Sequence, residues 1–205
     1  MHKERIKKSR KTLIFMQSKD SRFIQRKIAV LSKTDKSSIR KWDIKIKKLC
    51  DKINAIDDLY TTSSCSGRII LMIEQDKKGE GLFSKVWHDK VLFNDLKKVL
   101  NEIVKTKKDI KFKIEPPIIH IACADLKKAS YMLEKAKYVG FKRSSILTCD
   151  RNIILELNSS DRLEFPIIKK GKILVNDDFL KLVVKLSNEK LEKGWKKINK
   201  LEKFV

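Results

Sequence analysis

The sequence predicts an α+β fold in which a mixed β-sheet packs against helices. In several segments apolar residues recur at steps of three and four, as on one face of a helix. Between those segments lie short runs rich in β-branched residues, as in buried strands. No G-x-G-x-x-G sequence is present, since the nearest glycines, Gly79 and Gly81, lie in a charged turn. A Rossmann-type cofactor fold is therefore not predicted.

Five helices follow from apolar spacing and from residues that cap helix ends. Phe23 and Leu31 indicate the first helix, and Trp42 begins the apolar stripe of the second. The third is expected to start at an N-cap formed by Asp89, and the fourth to end at Gly140 in a left-handed conformation. The predicted helices cover about 20–33, 41–58, 90–106, the segment from Leu126 to Gly140, and a long final segment from about 177.

Seven strands are predicted from short apolar runs bounded by turn residues. The run from Ile69 to Ile73 is the first of them. The Pro116-Pro117 pair separates the next two. The predicted strands cover 69–73, 110–115, 118–123 and the segments near 144–149, 152–158, 164–169 and 172–175.

A chain of 205 residues can bury one good core, so residues 22–205 are expected to form a single domain after a basic extension over 1–21. A faint internal similarity relates Ser63-Ser64, ahead of one strand, to Ser144-Ser145, ahead of another. This similarity is compatible with two related βα halves that face each other across one cleft. Convergence of helix-to-strand turns explains it equally well.

The charge of the chain indicates its partner. There are 49 Lys and Arg residues against 26 Asp and Glu residues, for a formal net charge of +23. Such an excess favours a polyanion, and nucleic acid is the main candidate. A genomic bias toward lysine is the competing explanation, although that bias need not deplete acidic residues. The basic residues are spread over the whole sequence, so no single basic stripe is defined.

Neither a membrane span nor an exported protein is indicated. The longest uncharged stretches, 59–67 and 116–124, have nine residues each, too few to span a membrane. The basic N-terminus lacks the apolar run of a signal peptide. The four cysteines are Cys50, Cys65, Cys123 and Cys149. They form no C-x-x-C pair and no zinc-type spacing with histidine. We therefore expect reduced thiols, no metal site and a cytoplasmic protein.

The most informative segment runs from Tyr60 to Arg68 and reads Tyr-Thr-Thr-Ser-Ser-Cys-Ser-Gly-Arg. It lies between a predicted helix and a predicted strand, and we call it the serine-rich block. Its hydroxyls and backbone N–H groups can hold an anionic or polar ligand, while Gly67 allows close approach and Arg68 offers a planar charged fork. A Ser/Thr-rich turn without a ligand explains the local composition equally well.

Short motifs occur in a characteristic order along about 22–202. They are Asp35-x-Ser37, Asp43, Ile53-Asn54, Tyr60 to Ile69, Trp87-His88, Phe112-Lys113-x-Glu115-Pro116, Ile119-His120, Ala129 to Ala136, Gly140-Phe141-Lys142-x-Ser144, Leu163-Glu164-x-Pro166 and Ser187-Asn188. This series resembles the tRNA wybutosine-synthesizing protein 3 family. The serine-rich block is the strongest element, and the other motifs add weight through their order.

The resemblance implies an S-adenosylmethionine-dependent methyltransferase acting on tRNA(Phe). The implied target is ring nitrogen 4 of a tricyclic wyosine precursor, 7-aminocarboxypropyl-demethylwyosine, beside the anticodon. Two departures concern loop glycines, because Arg40 and Ser145 stand where family members usually carry glycine. These departures bear on loop geometry, whereas the serine-rich block is intact. Oligomeric state does not follow from the resemblance.

The expected catalytic residues are His120, Ser63 and Arg68. His120, inside the run from Ile118 to Ile121, is the expected proton acceptor, because imidazole titrates in the range that this role requires. A structural histidine on a strand is the competing interpretation. His88 precedes a predicted helix and is assigned to tRNA contact, with helix capping as the competing account.

Other motif positions are expected to bind cofactor or tRNA. The expected cofactor-binding residues are Ser64, Ser66, Gly67 and Ser144. Lys113 and Arg68 are expected to hold phosphate or carboxylate groups, because the precursor carries an amino-carboxypropyl chain. The remaining substrate positions are Asn188, Asp35 and Ser37, for which a tie between helix and sheet or a helix cap is the alternative. Aromatic residues considered for base stacking are Trp42, Tyr60, Trp87 and Phe141, with a core position favoured for Trp42 and Phe141.

Two rival functions stay open. A non-catalytic tRNA-binding protein would explain the charge without any need for the serine-rich block, and would bind RNA equally well with or without S-adenosylmethionine. A metal-free ribonuclease would use His88 and His120 as acid and base, and would cleave unmodified RNA without cofactor. No further motif accompanies the two histidines in support of the ribonuclease.

Overall fold

The computed structural model describes residues 21–33, 43–75, 81–150 and 152–205. Several sequence expectations lie outside these ranges. They concern the N-terminal extension up to residue 20, the substrate positions Asp35 and Ser37, the Arg40 departure and the stacking position Trp42.

The described residues form five helices and nine strands. The helices are α1 (21–31), α2 (Ile44–Ala55), α3 (Phe93–Ile103), α4 (Leu126–Val139) and α5 (Asp177–Leu201). The strands are β1 (Leu59–Cys65), β2 (Arg68–Ile73), β3 (Phe83–Trp87), β4 (Ile110–Glu115), β5 (Ile118–Cys123), β6 (Ser145–Thr148), β7 (Ile153–Asn158), β8 (Leu163–Lys169) and β9 (Lys172–Ile173). The α+β class is confirmed. None of these helices is long and apolar enough to cross a membrane.

The strands divide between two sheets, where the sequence led us to expect one mixed sheet. The first sheet has the order β1-β5-β7-β6, and the second has the order β3-β2-β4-β8-β9. Every neighbouring pair in these two sheets is antiparallel. For the pairs β2–β3, β6–β7 and β8–β9, the short connection requires the antiparallel direction, because a parallel return needs a long crossover.

The chain passes directly from one sheet to the other at three places, residues 65–68, 115–118 and 158–163, which we call the crossing zone. Register places the first two side by side, since Cys65 pairs with Ile118 and Arg68 pairs with Glu115. Gly67 makes the first crossing with a φ of 102°, and a Cβ there would lie 3.2 Å from the carbonyl oxygen of Glu115. Glycine suits both the left-handed backbone and the close approach.

Helix α5 contacts both hydrophobic cores. Its Ile198 belongs to the core under the first sheet, its Val183 to the core under the second, and Trp195 packs against both. Below the crossing zone, a Cβ at Gly194 would lie 2.7 Å from the ring of Pro117. The helix backbone therefore lies directly against the proline turn that joins β4 to β5.

Most predicted elements are confirmed, and one cap is wrong. Strands β4 and β5 have their predicted bounds, and α4 ends at Gly140 with a φ of 110°. Asp89 does not cap α3, because the N-cap is Leu92 and the helix begins one residue later. The Asp89 carboxylate instead accepts a hydrogen bond from Lys45 Nζ at 2.8 Å. This ion pair joins the segment after β3 to the start of α2.

Strands β1 and β3 are absent from the sequence prediction. Strand β1 contains Tyr60 to Cys65 of the serine-rich block, which the sequence places between a predicted helix and a predicted strand. Both β1 and β3 are edge strands, so much of their side-chain surface stays polar. Polar edge strands lack the apolar run or strict alternation from which strands are recognised.

Candidate active site at the crossing of two sheets

A row of polar side chains crosses the first sheet. Register pairs Ser63 on β1 with His120 on β5, His120 with Glu156 on β7, and Glu156 with Ser145 on β6. Paired residues share one face of an antiparallel sheet. That face is opposite the helix-covered core, because the next residue along β5, Ile119, is buried in the core. We call these four residues the polar row.

Hydrogen bonds fix the centre of the polar row. His120 Nε2 lies 2.9 Å from Glu156 Oε2, and Asn158 Nδ2 donates to Glu156 Oε1 at 3.1 Å. The hydrogen bond with His120 lowers the pKa of Glu156, so the carboxylate is ionised at neutral pH. When Nε2 of His120 carries the proton, it donates to the ionised Glu156, and Nδ1 is the ring nitrogen that can accept. A carboxylate orients this imidazole, as in sites that use histidine as a base.

Three side chains from separate elements meet at the first crossing, and we call Asp43, Cys65 and His88 the crossing cluster. Asp43 is the N-cap of α2, and its carboxylate accepts from Lys45 N at 3.2 Å and from Ser66 N at 2.9 Å. His88 Nδ1 lies 3.9 Å from Asp43 Oδ2 and 4.0 Å from Cys65 Sγ. The start of α2 therefore holds the end of β1 beside the residue that follows β3.

Burial sets the protonation states in the crossing cluster. Burial lowers the pKa of His88 by more than the nearby Asp43 carboxylate raises it, so the imidazole is neutral at neutral pH. Burial likewise raises the pKa of Cys65, which keeps the sulfur a thiol. Oxygen, sulfur and nitrogen atoms of the cluster lie within 4.8 Å of one another, as in a metal site. The positive charges of Arg68 and Lys45 act on the same place and oppose a bound cation.

Arg68 begins the second sheet at the crossing and is held by Glu115. Its Nε and Nη2 both lie 2.7 Å from Glu115 Oε2. Lys113 Nζ lies 3.2 Å from Glu115 Oε1 and 3.8 Å from Glu164 Oε2. Burial alone would raise the pKa of Glu115, but Arg68 and Lys113 outweigh it and the pKa is lowered. The two cations expected to hold anions are thus fixed in place by carboxylates.

The polar row and the crossing cluster share one face of the first sheet. Ser63 and Cys65 are two residues apart on β1, so their side chains point to the same side. Helix α1 covers the far end of this face, where the Phe23 ring lies 5.2 Å from the Tyr60 ring. The side chain of His120 is 27% exposed, so the face is open between these two ends.

Three buried polar atoms of the described residues have no hydrogen-bond partner, namely Ser66 Oγ, Asn158 Oδ1 and Trp195 Nε1. Leaving such an atom unpaired costs about 1–3 kcal/mol. Two of the three belong to the candidate site, because Ser66 is held by Asp43 and Asn158 holds Glu156. A ligand or an ordered water at the site would satisfy them.

A family model described as Methyltransferase TYW3 matches residues 20–205. The chain belongs to the TYW3 methyltransferase family. The match includes every described residue of the polar row and of the crossing cluster. The resemblance found in the ordered motifs is therefore confirmed.

Similar proteins agree with membership of the TYW3 family. A relative from Archaeoglobus fulgidus is 37% identical over 169 residues, which are 81% of this chain and 84% of the relative. A relative from Methanocaldococcus jannaschii is 38% identical over 158 residues, with 74% and 80% covered. Both are named tRNA(Phe) 7-((3-amino-3-carboxypropyl)-4-demethylwyosine(37)-N(4))-methyltransferase. The solved structure of the PH1069 protein from Pyrococcus horikoshii is similar with a TM-score of 0.71 at 28% identity, covering 78% of this chain and 82% of that chain.

Within the TYW3 fold, part of the predicted site comes together. Ser63 lies opposite His120, as expected for neighbouring strands. Arg68 lies close enough for its positive charge to lower the pKa of both His88 and Cys65. Hence the three residues expected in one catalytic cleft lie on or beside the face of β1 that also carries the crossing cluster.

Other predicted residues are occupied elsewhere in the TYW3 fold. Asn188 accepts from Val91 N at 3.0 Å and donates to Val91 O at 2.9 Å, so it ties α5 to the segment before α3. Ser144 is buried, and its hydroxyl donates to Phe141 O at 2.7 Å and accepts from Asn158 N at 3.1 Å. The roles of Asn188 in substrate binding and of Ser144 in cofactor binding stay predictions.

Two of the rings considered for base stacking are buried in this TYW3 family member. Tyr60 is 4% exposed, so base stacking on its ring is a wrong prediction, whereas Phe141 is 0% exposed and the core role favoured for it is confirmed. Trp87 packs against the core of the second sheet. Aromatic spacing alone does not reveal which rings face solvent, because the same residues serve a helix-covered core.

Sequence reasoning missed Glu156 and Asn158. Both lie at alternate positions among Ile and Leu in the predicted strand 152–158, where an acidic residue and an amide interrupt an apolar run. That interruption was the available signal, because a polar residue inside a strand needs a partner on its own face. Asp43 appears in the sequence only among the ordered motifs, whereas in the structure it caps α2 and accepts from Ser66 N.

Proposed function

We propose that this chain is an S-adenosylmethionine-dependent methyltransferase that methylates ring nitrogen 4 of 7-aminocarboxypropyl-demethylwyosine in tRNA(Phe). The observation that carries the proposal is the place of the intact serine-rich block, which forms β1 and sets Ser63 opposite the oriented His120. Relatives named for this reaction are similar over most of the chain. A tRNA substrate would place the reaction in the cytoplasm.

The residues at the first crossing fit a polar, charged cofactor. S-adenosylmethionine, when bound, would supply a methyl group from its positively charged sulfonium. Ser66 offers a buried, unpaired hydroxyl, and the left-handed backbone at Gly67 turns the chain directly after it, with Glu115 and Pro117 filling the space that a Cβ would take. The Asp43 carboxylate beside them attracts the sulfonium, while Arg68 and Lys45 would attract the carboxylate of the same cofactor. We assign the cofactor to Ser66 and the backbone at Gly67. Ser64, also expected to bind it, pairs with Ile119 and so faces the helix-covered core beside Cys50.

Proton transfer is assigned to His120. The target nitrogen forms its bond to the methyl group and loses its proton, so a base must take that proton. With the Nε2–H donated to Glu156, Nδ1 of His120 would carry the lone pair that takes the proton. Ser63, opposite His120, would orient the acceptor ring through its hydroxyl.

His88 is the second candidate for the same role. Its lowered pKa keeps it neutral, and Asp43 would stabilise the protonated ring after transfer. The two histidines approach the face of β1 from different sides, one from β5 and one from the segment after β3. Their substitutions therefore separate the two assignments.

Arg68 and Lys113 are assigned to the anionic groups of the substrate. Both are positioned by Glu115, so neither needs to be ordered when the tRNA binds. A phosphate or the carboxylate of the precursor side chain would compete with Glu115 for the Arg68 fork. The net charge of +23 provides the longer-range attraction for tRNA.

One assay tests the proposal against both rivals. The full chain is incubated with precursor-bearing tRNA(Phe), with and without S-adenosylmethionine, and the nucleosides are analysed by mass spectrometry. We expect one added methyl group on the precursor only when the cofactor is present. Binding of tRNA without any mass change would favour the non-catalytic protein, and cleavage of unmodified RNA would favour the ribonuclease. A His120→Ala variant in the same assay checks that the product comes from this chain.

A further inference from the structure

Exposed aromatic side chains lie on the helical side of the first sheet, away from the polar row. Tyr131 and Tyr138 on α4 are 47% and 79% exposed, and Phe204, just after α5, is 39% exposed. The two tyrosines and Lys135 are spaced by four and three residues, so they share one face of α4. Large rings at this exposure need an explanation, because a soluble surface gains nothing from them.

Contacts among these residues build a defined surface. The rings of Tyr138 and Phe204 meet edge to face with centroids 5.7 Å apart. Lys135 Nζ lies 5.2 Å from the centre of the Tyr131 ring and 5.8 Å from that of Phe204. The Glu134 carboxylate lies 3.5 Å from the same nitrogen, so an ion pair and cation–π attraction together hold the ammonium beside both rings. We call Tyr131, Lys135, Tyr138 and Phe204 the aromatic–lysine surface.

Charge identifies the kind of partner. A second copy of this chain would be repelled, because each copy carries a formal charge of +23. Four further lysines are exposed near this part of the fold, on α4, on the turn after it and at the end of α5, namely Lys137, Lys142, Lys200 and Lys203. The exposed rings favour a partner with flat apolar faces, and the lysines favour one with negative charge. Unpaired nucleotides have both properties.

The surface is connected to the candidate active site by the edge of the first sheet. The polar row ends at Ser145 on the edge strand β6. The short turn between α4 and β6 carries the exposed Lys142 and Arg143. RNA that lies on the polar row therefore meets positive charge where it passes around this edge toward Tyr138.

We propose that the aromatic–lysine surface binds unpaired nucleotides of the tRNA body, outside the anticodon stem-loop that presents the target base. This inference rests on the proposed function for the identity of the RNA. It is independent of which histidine accepts the proton. Bases would stack on Tyr131 and Tyr138, and phosphates would contact the surrounding lysines.

Binding measurements on the full chain test the surface. Precursor-bearing tRNA(Phe) and its isolated anticodon stem-loop are each titrated, by fluorescence anisotropy, with wild type and with a Tyr131→Ala/Tyr138→Ala variant. Loss of stacking should raise the Kd for whole tRNA about tenfold or more and leave the Kd for the stem-loop within about twofold. A Tyr131→Phe/Tyr138→Phe variant keeps the rings and should bind whole tRNA as wild type does. Leu182→Ala removes an exposed apolar side chain elsewhere and should have no effect.

The outcomes are separable. Equal Kd values for whole tRNA in wild type and the Ala variant would overturn the inference, and so would an equal loss on whole tRNA and stem-loop. Thermal unfolding of each variant shows whether a loss of binding comes from loss of the fold, and the Phe variant gives the same test with the rings kept. Methyl transfer by wild type is measured separately. Absence of that activity would refute the proposed function while the comparison of binding constants still decides the surface.

Discussion

A single pairing decides what His120 can do. Along β5 alone, a histidine between isoleucines is compatible with a structural role. The structure adds Glu156 at 2.9 Å from its Nε2 and Ser63 opposite it on the next strand. A carboxylate on one ring nitrogen orients the other, which is the arrangement that general bases use. The chemistry therefore depends on strand pairing, which brings together residues far apart in the sequence.

Substitutions in the polar row should lower turnover more strongly the nearer the residue lies to the reacting atoms. His120→Ala should lower turnover about 10²-fold or more with the fold intact, because it removes the base. Glu156→Gln should lower turnover by a smaller factor, since the ring stays but loses its orienting carboxylate. Single-turnover rates of methyl transfer measure both. Ser145→Ala at the sheet edge serves as the control, and full activity in His120→Ala would move the role to His88.

Glu115 should make the free energy of unfolding depend on pH. Its pKa is lowered because Arg68 and Lys113 outweigh burial, so its carboxylate stabilises the fold above the ordinary value of 4.5 and loses that effect as pH falls through the lowered value. Glu115→Gln should cost about 1–2 kcal/mol of unfolding free energy at neutral pH. The difference should vanish in acid, because a protonated glutamate resembles glutamine. Urea unfolding over a pH series measures it.

Glu164→Gln is the matched control for that series. Glu164 contacts the same lysine at 3.8 Å but is more exposed, so its substitution should change stability little at any pH. A stability difference for Glu115→Gln that stays constant from neutral pH into acid would contradict the role assigned to its carboxylate.

At the scale of elements, α5 and the proline turn fit together only because Gly194 has no side chain. A Cβ there would lie 2.7 Å from two ring carbons of Pro117. In an isolated helix, Gly→Ala stabilises by about 1 kcal/mol. Here the clash with a rigid ring at the crossing zone should outweigh that gain in helix stability, because the helix and the turn are packed against each other.

Gly194→Ala should therefore destabilise the protein by about 1–3 kcal/mol, the usual cost of overpacking. Lys193→Ala, one residue earlier on the exposed side of α5, should stay within about 0.5 kcal/mol of wild type. Chemical denaturation of the two variants in parallel provides the measurement. A Gly194→Ala protein more stable than wild type would show that the helix and turn separate easily.

Elements were predictable where burial leaves a pattern in the sequence. The helical stripe of α4 and the apolar runs of β4 and β5 could be read correctly, because each has one side or both in a core. Strand β1 could not, because it lies at a sheet edge and its Thr and Ser side chains leave no apolar pattern. In the same way, the serine-rich block marked the site, whereas Glu156 was invisible until β7 had been paired with β5.

At the scale of the whole molecule, charge should dominate tRNA affinity. The chain has 49 basic and 26 acidic residues, and this excess is larger than the recognition of a few bases requires. The association constant should fall at least about tenfold between 50 and 200 mM salt, because counterions released from several phosphates oppose binding. Filter binding at a series of salt concentrations gives the slope. Constant affinity over this range would refute a phosphate-dominated interface, and cofactor binding should change far less.

The three strand crossings also determine when the protein can fold. Within the ranges that the structure describes, β1 pairs with β5 alone, so Leu59 has no strand partner until Cys123 has been synthesised. Strand β4 likewise lacks its second neighbour until β8 has been synthesised. During synthesis the serine-rich block therefore leaves the ribosome as an unpaired strand and stays unpaired until β5 has emerged. Pairings between such distant segments slow folding, typically to milliseconds or seconds. For that interval the serine-rich block is an unpaired segment, available to chaperones or to another nascent chain.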